Sequence, residues 1–85
     1  MARYRLLFKR SITKDLRSIP KKDVSRILNR IEALADDPRP PGCEKLSARE
    51  LYRIRQGNYR ILYEIHDDVL VIVVVKVGSR SAVYK

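Results

Sequence analysis

The sequence contains no tryptophan, one cysteine and one histidine among its 85 residues, together with only three glycines and four prolines. The single cysteine, Cys43, excludes an internal disulfide and is compatible with a reducing compartment. Residues 1–10 lack the apolar core of a secretion signal. The longest apolar run, residues 69–75, is far shorter than the roughly 20 residues that a membrane-spanning helix needs. We therefore expect a cytoplasmic protein without a membrane span.

Long runs of Ser, Gly or Pro are also absent, while 45% of the residues are hydrophobic. This composition excludes a disordered basic tail, because the chain has enough apolar surface to bury on folding. A chain of this length suits one small domain, residues 1–85. It is too short for a multidomain enzyme with a deep, enclosed substrate cavity.

Acidic residues are scarce: ten Asp and Glu stand against 19 Lys and Arg, which gives a formal net charge of +9. Such an excess attracts polyanions and speeds their encounter with the protein. Much of this positive charge lies in the predicted helical half of the chain, at helix positions outside the row of apolar residues. Neither Cys43 nor His66 has a partner at metal-ligand spacing, so we expect no metal site and interpret His66 as a surface turn residue.

Hydrophobic periodicity predicts an α+β fold. Residues 3–9 resemble a strand, residues 11–19 form a helix that Ser11 can cap, and residues 20–35 form a second helix with a clear apolar stripe. The period then changes from helical to two, which predicts strands at 51–55, 59–65 and 69–77, with a short final strand at 82–84. The order is strand, helix, helix, strand, strand, strand. We expect the two helices to pack on one face of a small, curved, mainly antiparallel sheet.

The pair Gly57-Asn58 predicts a two-residue hairpin turn between the first two of these strands. This register sets Ile54 opposite Ile61 and Arg55 opposite Arg60. Arg53 and Arg55 alternate with apolar residues, so their guanidinium groups should emerge on the sheet face away from the helices. Like charges directly across a ladder are unfavourable, so the pattern suggests an anionic ligand. An ordinary exposed strand face is the alternative.

Five short motifs follow one another along the chain: Lys45-Leu46, Leu51-Tyr-Arg-Ile-Arg55, Gly57-Asn-Tyr-Arg-Ile-Leu-Tyr-Glu-Ile65, Val77-Gly-Ser-Arg80 and Val83-Tyr84. In this order and spacing, behind two predicted helices, they resemble the RelE/ParE superfamily of toxins from toxin–antitoxin pairs. The resemblance covers nearly the whole chain. The resemblance implies a fold like that of small microbial ribonucleases. In the RelE branch it also implies a metal-independent endoribonuclease, without cofactor, that cleaves mRNA in the ribosomal A site.

The resemblance assigns catalytic roles by motif to Arg55, Arg60, Arg80 and Tyr84. It assigns RNA binding to Arg53, Arg55, Lys45 and Lys76. Well-known members carry Lys where this chain has Arg55, and a guanidinium is a poor base near neutral pH. We therefore expect Arg55 to act by position and charge. The alternative is that Tyr84 or a ribosomal group accepts the proton.

Partners follow from the same resemblance. They are a cognate RelB-like antitoxin, the ribosome with its mRNA, and operator DNA reached through the toxin–antitoxin complex. Two alternatives remain open at this point. One is a ParE-like inhibitor of DNA gyrase with the same fold, and the other is a nucleic-acid-binding module without catalysis, which the charge alone would explain.

Overall fold

The computed structural model describes residues 3–46 and 50–79. Its strands and helices are β1 (Arg5–Phe8), α1 (Ser11–Arg17), α2 (Lys21–Leu34), β2 (Glu44–Leu46), β3 (Leu51–Gln56), β4 (Tyr59–His66) and β5 (Val71–Ser79). The five strands form one sheet in the order β1-β5-β4-β3-β2, in which only β1 and β5 run parallel. The predicted α+β architecture is confirmed. The predicted final strand at 82–84 lies outside the described residues.

The helices begin and end close to the predicted residues. Pro20 is the N-cap of α2, where its fixed φ and missing N–H are tolerated. The prediction that Ser11 caps α1 is wrong, since Ser11 is the first helical residue and Arg10 occupies the N-cap without a side-chain hydrogen bond. None of the helices in the described part of the chain is long and apolar enough to cross a membrane.

The core lies between the two helices and one face of the sheet. Ile27, Ile31 and Leu34 of α2 are spaced by three and four positions and are at most 1% exposed. They pack with alternate residues of β3, β4 and β5, including Ile54 and Ile61. Leu28, predicted for the same stripe, is 41% exposed because it lies at the margin of the buried face.

The β3–β4 hairpin has the predicted register. Gly57 has φ +60°, which a type II′ turn requires at its first central position and which glycine adopts without a steric penalty. Ile54 pairs with Ile61 and Arg55 with Arg60 across the ladder. The hairpin therefore separates an apolar face from an arginine-bearing face.

Two strand predictions need correction. The sequence analysis missed β2, whose three residues are too few to show a period of two. It also started the last strand at Val69, whereas β5 begins at Val71. Leu70 has φ +54°, a left-handed backbone conformation that cannot continue a strand. Val69 and Leu70 consequently belong to an exposed turn.

At the end of the sheet away from the hairpin turn, Arg39 ties the loop after α2 to the turn before β5. Its guanidinium forms an ion pair of 2.8 Å with Asp67 and lies 5.2 Å from the ring centroid of Tyr52. The Tyr4 hydroxyl donates a 2.6 Å hydrogen bond to the same carboxylate. These donors hold the pKa of Asp67 below its ordinary value of 3.8, and Arg39 makes the larger contribution.

Replacing Asp67 with Asn tests this ion pair. We expect Asp67→Asn to lower the Tm near neutral pH, because the amide keeps the size of the side chain and loses its charge. The folded state binds the Asp67 proton more weakly than the unfolded state does. The stabilisation is therefore complete above the ordinary Asp pKa and is lost as the pH falls through the lowered folded value.

Thermal unfolding followed by circular dichroism at several pH values measures the effect. Asp68→Asn, in the same exposed turn, is the matched control, and its Tm should follow that of the parent more closely. A difference between Asp67→Asn and parent that is constant across the acid range would contradict the assignment.

Candidate nucleic-acid interface

Three arginines, Arg53, Arg55 and Arg60, form what we call the arginine cluster. Strand alternation places Arg53 and Arg55 on the sheet face opposite the core residues Tyr52 and Ile54. The ladder places Arg55 directly across from Arg60. The cluster therefore occupies the face opposite α1 and α2, at the end of the sheet that carries the hairpin turn.

The arginines differ in exposure, which the sequence analysis did not anticipate. Arg55 is exposed, whereas Arg53 is 8% and Arg60 is 3% exposed. A buried cation requires a compensating charge or hydrogen bonds. For Arg53 the edge strand supplies one, because Glu44 lies directly across from it and the two form a 2.9 Å ion pair. Within the cluster, Arg55 is thus the most exposed arginine.

A small recess of about 70 Å³ opens at the hairpin turn. Arg55 and Arg60 line it together with Gly57, Asn58 and Tyr59. Guanidinium groups match the geometry of phosphate oxygens and bind them through paired N–H donors. The recess is thus a suitable place for one oxygen-rich anionic group to contact the cluster.

Tyr59 and His66, at the two ends of β4, are the aromatic titratable groups of that strand outside the core, which holds Tyr63. The Tyr59 hydroxyl donates a 3.3 Å hydrogen bond to Asp23, and partial burial, followed by the Asp23 charge, raises its pKa. It therefore stays protonated near neutral pH. His66 ends β4 next to Glu64, six residues and about 20 Å from Arg60 at ~3.3 Å per residue. Neither group is a proton acceptor for chemistry at the cluster.

The structure brings only some of the predicted site residues together. Lys45 pairs across the ladder with Tyr52, so it shares the face of Tyr52 rather than that of the cluster, and it forms an ion pair of 3.3 Å with Glu50. Lys76 lies across the ladder from Leu62. Leu62 is two residues from Arg60 in β4 and lies on the same face, so Lys76 shares the face of the cluster. Arg80 and Tyr84 lie outside the described residues.

Two acidic residues that the sequence analysis did not assign to the site contact its cations. Glu44 pairs with Arg53, and Asp15 of α1 lies 3.7 Å from the Lys76 ammonium. The register of β2 would have indicated Glu44, had that strand been recognised. No sequence signal indicates Asp15, because its contact joins elements about 60 residues apart. Among residues 3–46 and 50–79, no three His, Cys, Asp or Glu side chains group closely enough to hold a metal ion.

Removing the exposed charge of the cluster tests its electrostatic character. We expect Arg55→Gln to raise the unfolding free energy by about 0.2–1 kcal/mol, because like charges directly across a ladder repel. Added sulfate should raise the Tm of the parent more than that of Arg55→Gln, since the anion relieves this repulsion. Chemical denaturation and thermal scans with increasing sulfate provide the measurements.

Arg26→Gln, which removes an exposed charge from α2, is the matched control and should keep the sulfate response of the parent. Equal sulfate responses of parent and Arg55→Gln would show that the cluster is not the anion site.

Comparison with known proteins supports the sequence resemblance. The model of the family described as the ParE toxin of type II toxin–antitoxin systems matches residues 6–84. A curated relative from Methanocaldococcus jannaschii, described as a candidate RelE1 toxin, is 30% identical over 80 residues, which cover 87% of each chain.

Solved structures show the same fold. The archaeal RelE–RelB complex from Pyrococcus horikoshii matches with a TM-score of 0.82 and 31% identity, covering 94% of this chain and 97% of that one. The RelB–RelE complex from Methanococcus jannaschii matches with a TM-score of 0.74 and 30% identity, covering 93% and 95%. With its sequence matched over nearly its full length and its fold shared with RelE toxins, the chain belongs to the RelE/ParE family of type II toxin–antitoxin toxins.

Proposed function

We propose that the chain is a ribosome-dependent endoribonuclease that cleaves mRNA in the A site and so inhibits translation in the cytoplasm. The observation that carries the proposal is the pairing of Arg55 directly across from Arg60 on the sheet face opposite α1 and α2. Two cations directly across a ladder repel each other, which favours an anionic ligand, and a phosphodiester is the anion that RNA presents. Membership of a toxin family that includes RelE proteins supports the same activity.

The proposed reaction uses the RNA's own nucleophile. The ribose 2′-oxygen attacks the adjacent phosphorus, the bond from phosphorus to the 5′-oxygen breaks, and a 2′,3′-cyclic phosphate remains. The 2′-hydroxyl gives up its proton to an acceptor, and the leaving 5′-oxygen takes one up. Negative charge grows on the phosphoryl oxygens in the transition state, so fixed cations around them lower the barrier. The proposed reaction uses no metal ion or organic cofactor.

The cluster and the other predicted site residues divide the proposed roles. Arg60, with Arg53, clamps the scissile phosphate, while Arg55 contributes charge and position rather than proton transfer. Arg80 stabilises the leaving oxygen or supplies its proton, and Tyr84 orients or stacks on the nucleotide. Lys76 contacts the RNA backbone beside the cluster, whereas Lys45 lies on the opposite face of the sheet and has no proposed contact with this RNA segment. Since Arg60 is only 3% exposed in the free chain, the groups that cover it must move when RNA binds.

The proposed protein partner is a RelB-like antitoxin that covers and neutralises the arginine face. A chain with a net charge of +9 favours an acidic partner segment. The solved relatives from P. horikoshii and M. jannaschii are complexes of RelE with RelB. Through its antitoxin the pair would also bind its operator DNA.

A second candidate function is inhibition of DNA gyrase. The observation in its favour is that the matching family model is described as the ParE toxin. Arg60, Arg80 and Tyr84, which match the nuclease motif, favour the ribonuclease. A binding module without catalysis is the third possibility, and the same assays separate all three.

Cleavage of ribosome-bound mRNA by the purified chain tests the proposal. We expect Arg60→Gln to cut the cleavage rate by roughly 10²- to 10³-fold, the usual loss when one preorganised donor to a transition-state oxyanion is removed. Mapping the 3′ ends of mRNA on programmed ribosomes gives both rate and position. Circular dichroism verifies that the variant is folded, because Arg60 is buried.

Arg26→Gln removes a comparable charge from the exposed face of α2 and is the matched control. It should reduce cleavage only slightly, through weaker long-range attraction that salt also screens. Equal cleavage by parent and Arg60→Gln would sink the site assignment. Inhibition of gyrase supercoiling with intact mRNA would instead favour the ParE-like function.

A further inference from the structure

The last residues of β5 have a different neighbour on each side. Toward the centre of the sheet, residues 76–79 pair with β4, so that Gly78 lies across from Arg60. On the other side, β1 pairs with β5 only as far as Val74, where the N–H of Lys9 donates a 3.0 Å hydrogen bond to the Val74 carbonyl. Beyond Val74, the described part of the chain places α1 at the outer edge of β5.

Asp15 of α1 contacts the backbone of β5 at this edge. Its Oδ2 atom accepts a 3.2 Å hydrogen bond from the backbone N–H of Val77. Its Oδ1 atom lies 3.7 Å from the Lys76 ammonium, and the Asp15 side chain is only 13% exposed. One short segment of β5 thus supplies both the hydrogen-bond donor and the cation that this largely buried carboxylate requires.

This segment needs a second attachment because the ladder is interrupted just before it. The register between β4 and β5 shifts between Leu62 and Tyr63, which leaves Val75 as the extra residue. A bulge bends the strand and loosens its pairing, so the regular part of β5 does not by itself fix the position of residues 76–79. Packing against α1 also leaves a groove of about 320 Å³, which Asp15 lines together with residues 76–79.

We propose that Asp15 is a positioning residue of the candidate RNA site. Its carboxylate fixes the segment 76–79 opposite Arg60 and keeps the Lys76 ammonium at the edge of β5. The expected effect of Asp15 on cleavage rests on the proposed function. Its expected effect on the position of the strand does not. Asp15 touches neither the phosphate recess nor the arginine cluster, and acts through the backbone of Val77 and the side chain of Lys76.

Two substitutions separate the two contacts. Asp15→Asn retains an oxygen that accepts the Val77 N–H and loses the attraction for Lys76, whereas Asp15→Ala loses both. We expect amide hydrogen exchange at residues 76–79 to accelerate in Asp15→Ala and to remain as in the parent in Asp15→Asn. With mRNA on ribosomes, kcat should fall by roughly 10- to 100-fold in Asp15→Ala, as expected when reacting groups are misplaced by about 1 Å.

In Asp15→Asn we expect kcat within about threefold of the parent, with a changed KM because Lys76 is released to the RNA. Asp36→Ala is the charge-matched control, since Asp36 is 71% exposed and contacts Arg3 instead of β5. If Asp15→Ala fails to fold, Asp15→Ser replaces it, because its hydroxyl is too short to reach Val77.

Faster exchange confined to residues 76–79, together with rescue of kcat by Asn, supports the proposal. Unchanged exchange in Asp15→Ala, or faster exchange throughout the chain with the same kcat per folded molecule, overturns it. A parent chain that leaves ribosome-bound mRNA intact would refute the proposed ribonuclease, and the exchange comparison would then decide the role of Asp15 in the strand.

Discussion

The alternation of side chains in the β3–β4 hairpin is the constraint on which the rest of the structure depends. The turn at Gly57 sets an even register, so Ile54 and Ile61 face the helices while Arg55 and Arg60 face away. A slip of one residue would direct Arg60 into the core and Ile61 to the outer face. The same two-residue turn therefore determines both the hydrophobic core and the grouping of the cations.

The structure brings positively charged side chains together on one sheet face, although their mutual repulsion opposes folding. Arg55 lies directly across from Arg60, and Glu44 forms an ion pair with Arg53 on the same face. The exposed cations of α2 lie on the other side of the sheet, where they attract polyanions over a distance. Conflict between local stability and side-chain placement is typical of functional sites, and here it favours the sheet face over the helices as the proposed anion site.

The sequence predicted elements whose signal is local and missed those that depend on distant contacts. The stripe of α2 and the register of the hairpin follow from spacing within about 15 residues, and both are confirmed. The three residues of β2 carry no period, and the start of β5 depends on the left-handed backbone of Leu70. The burial of Arg53 and the placement of Lys45 on the opposite face both follow from β2. One unrecognised strand thus accounts for much of what the site prediction lacked.

The described part of the site holds several cations suited to phosphate, and the carboxylates nearest to them, Glu44 and Asp15, are engaged by Arg53 and by Lys76 and the Val77 N–H. A guanidinium keeps its proton near neutral pH, and the raised pKa of Tyr59 keeps its hydroxyl protonated as well. Chemistry on such a surface must depend on alignment of the 2′-oxygen, phosphorus and leaving oxygen, together with charge stabilisation. Alignment is sensitive to small displacements of the strands that carry the cations. In the proposed ribonuclease, contacts remote from the phosphate, such as the hydrogen bond from Val77 to Asp15, would therefore affect the reaction by fixing the strands.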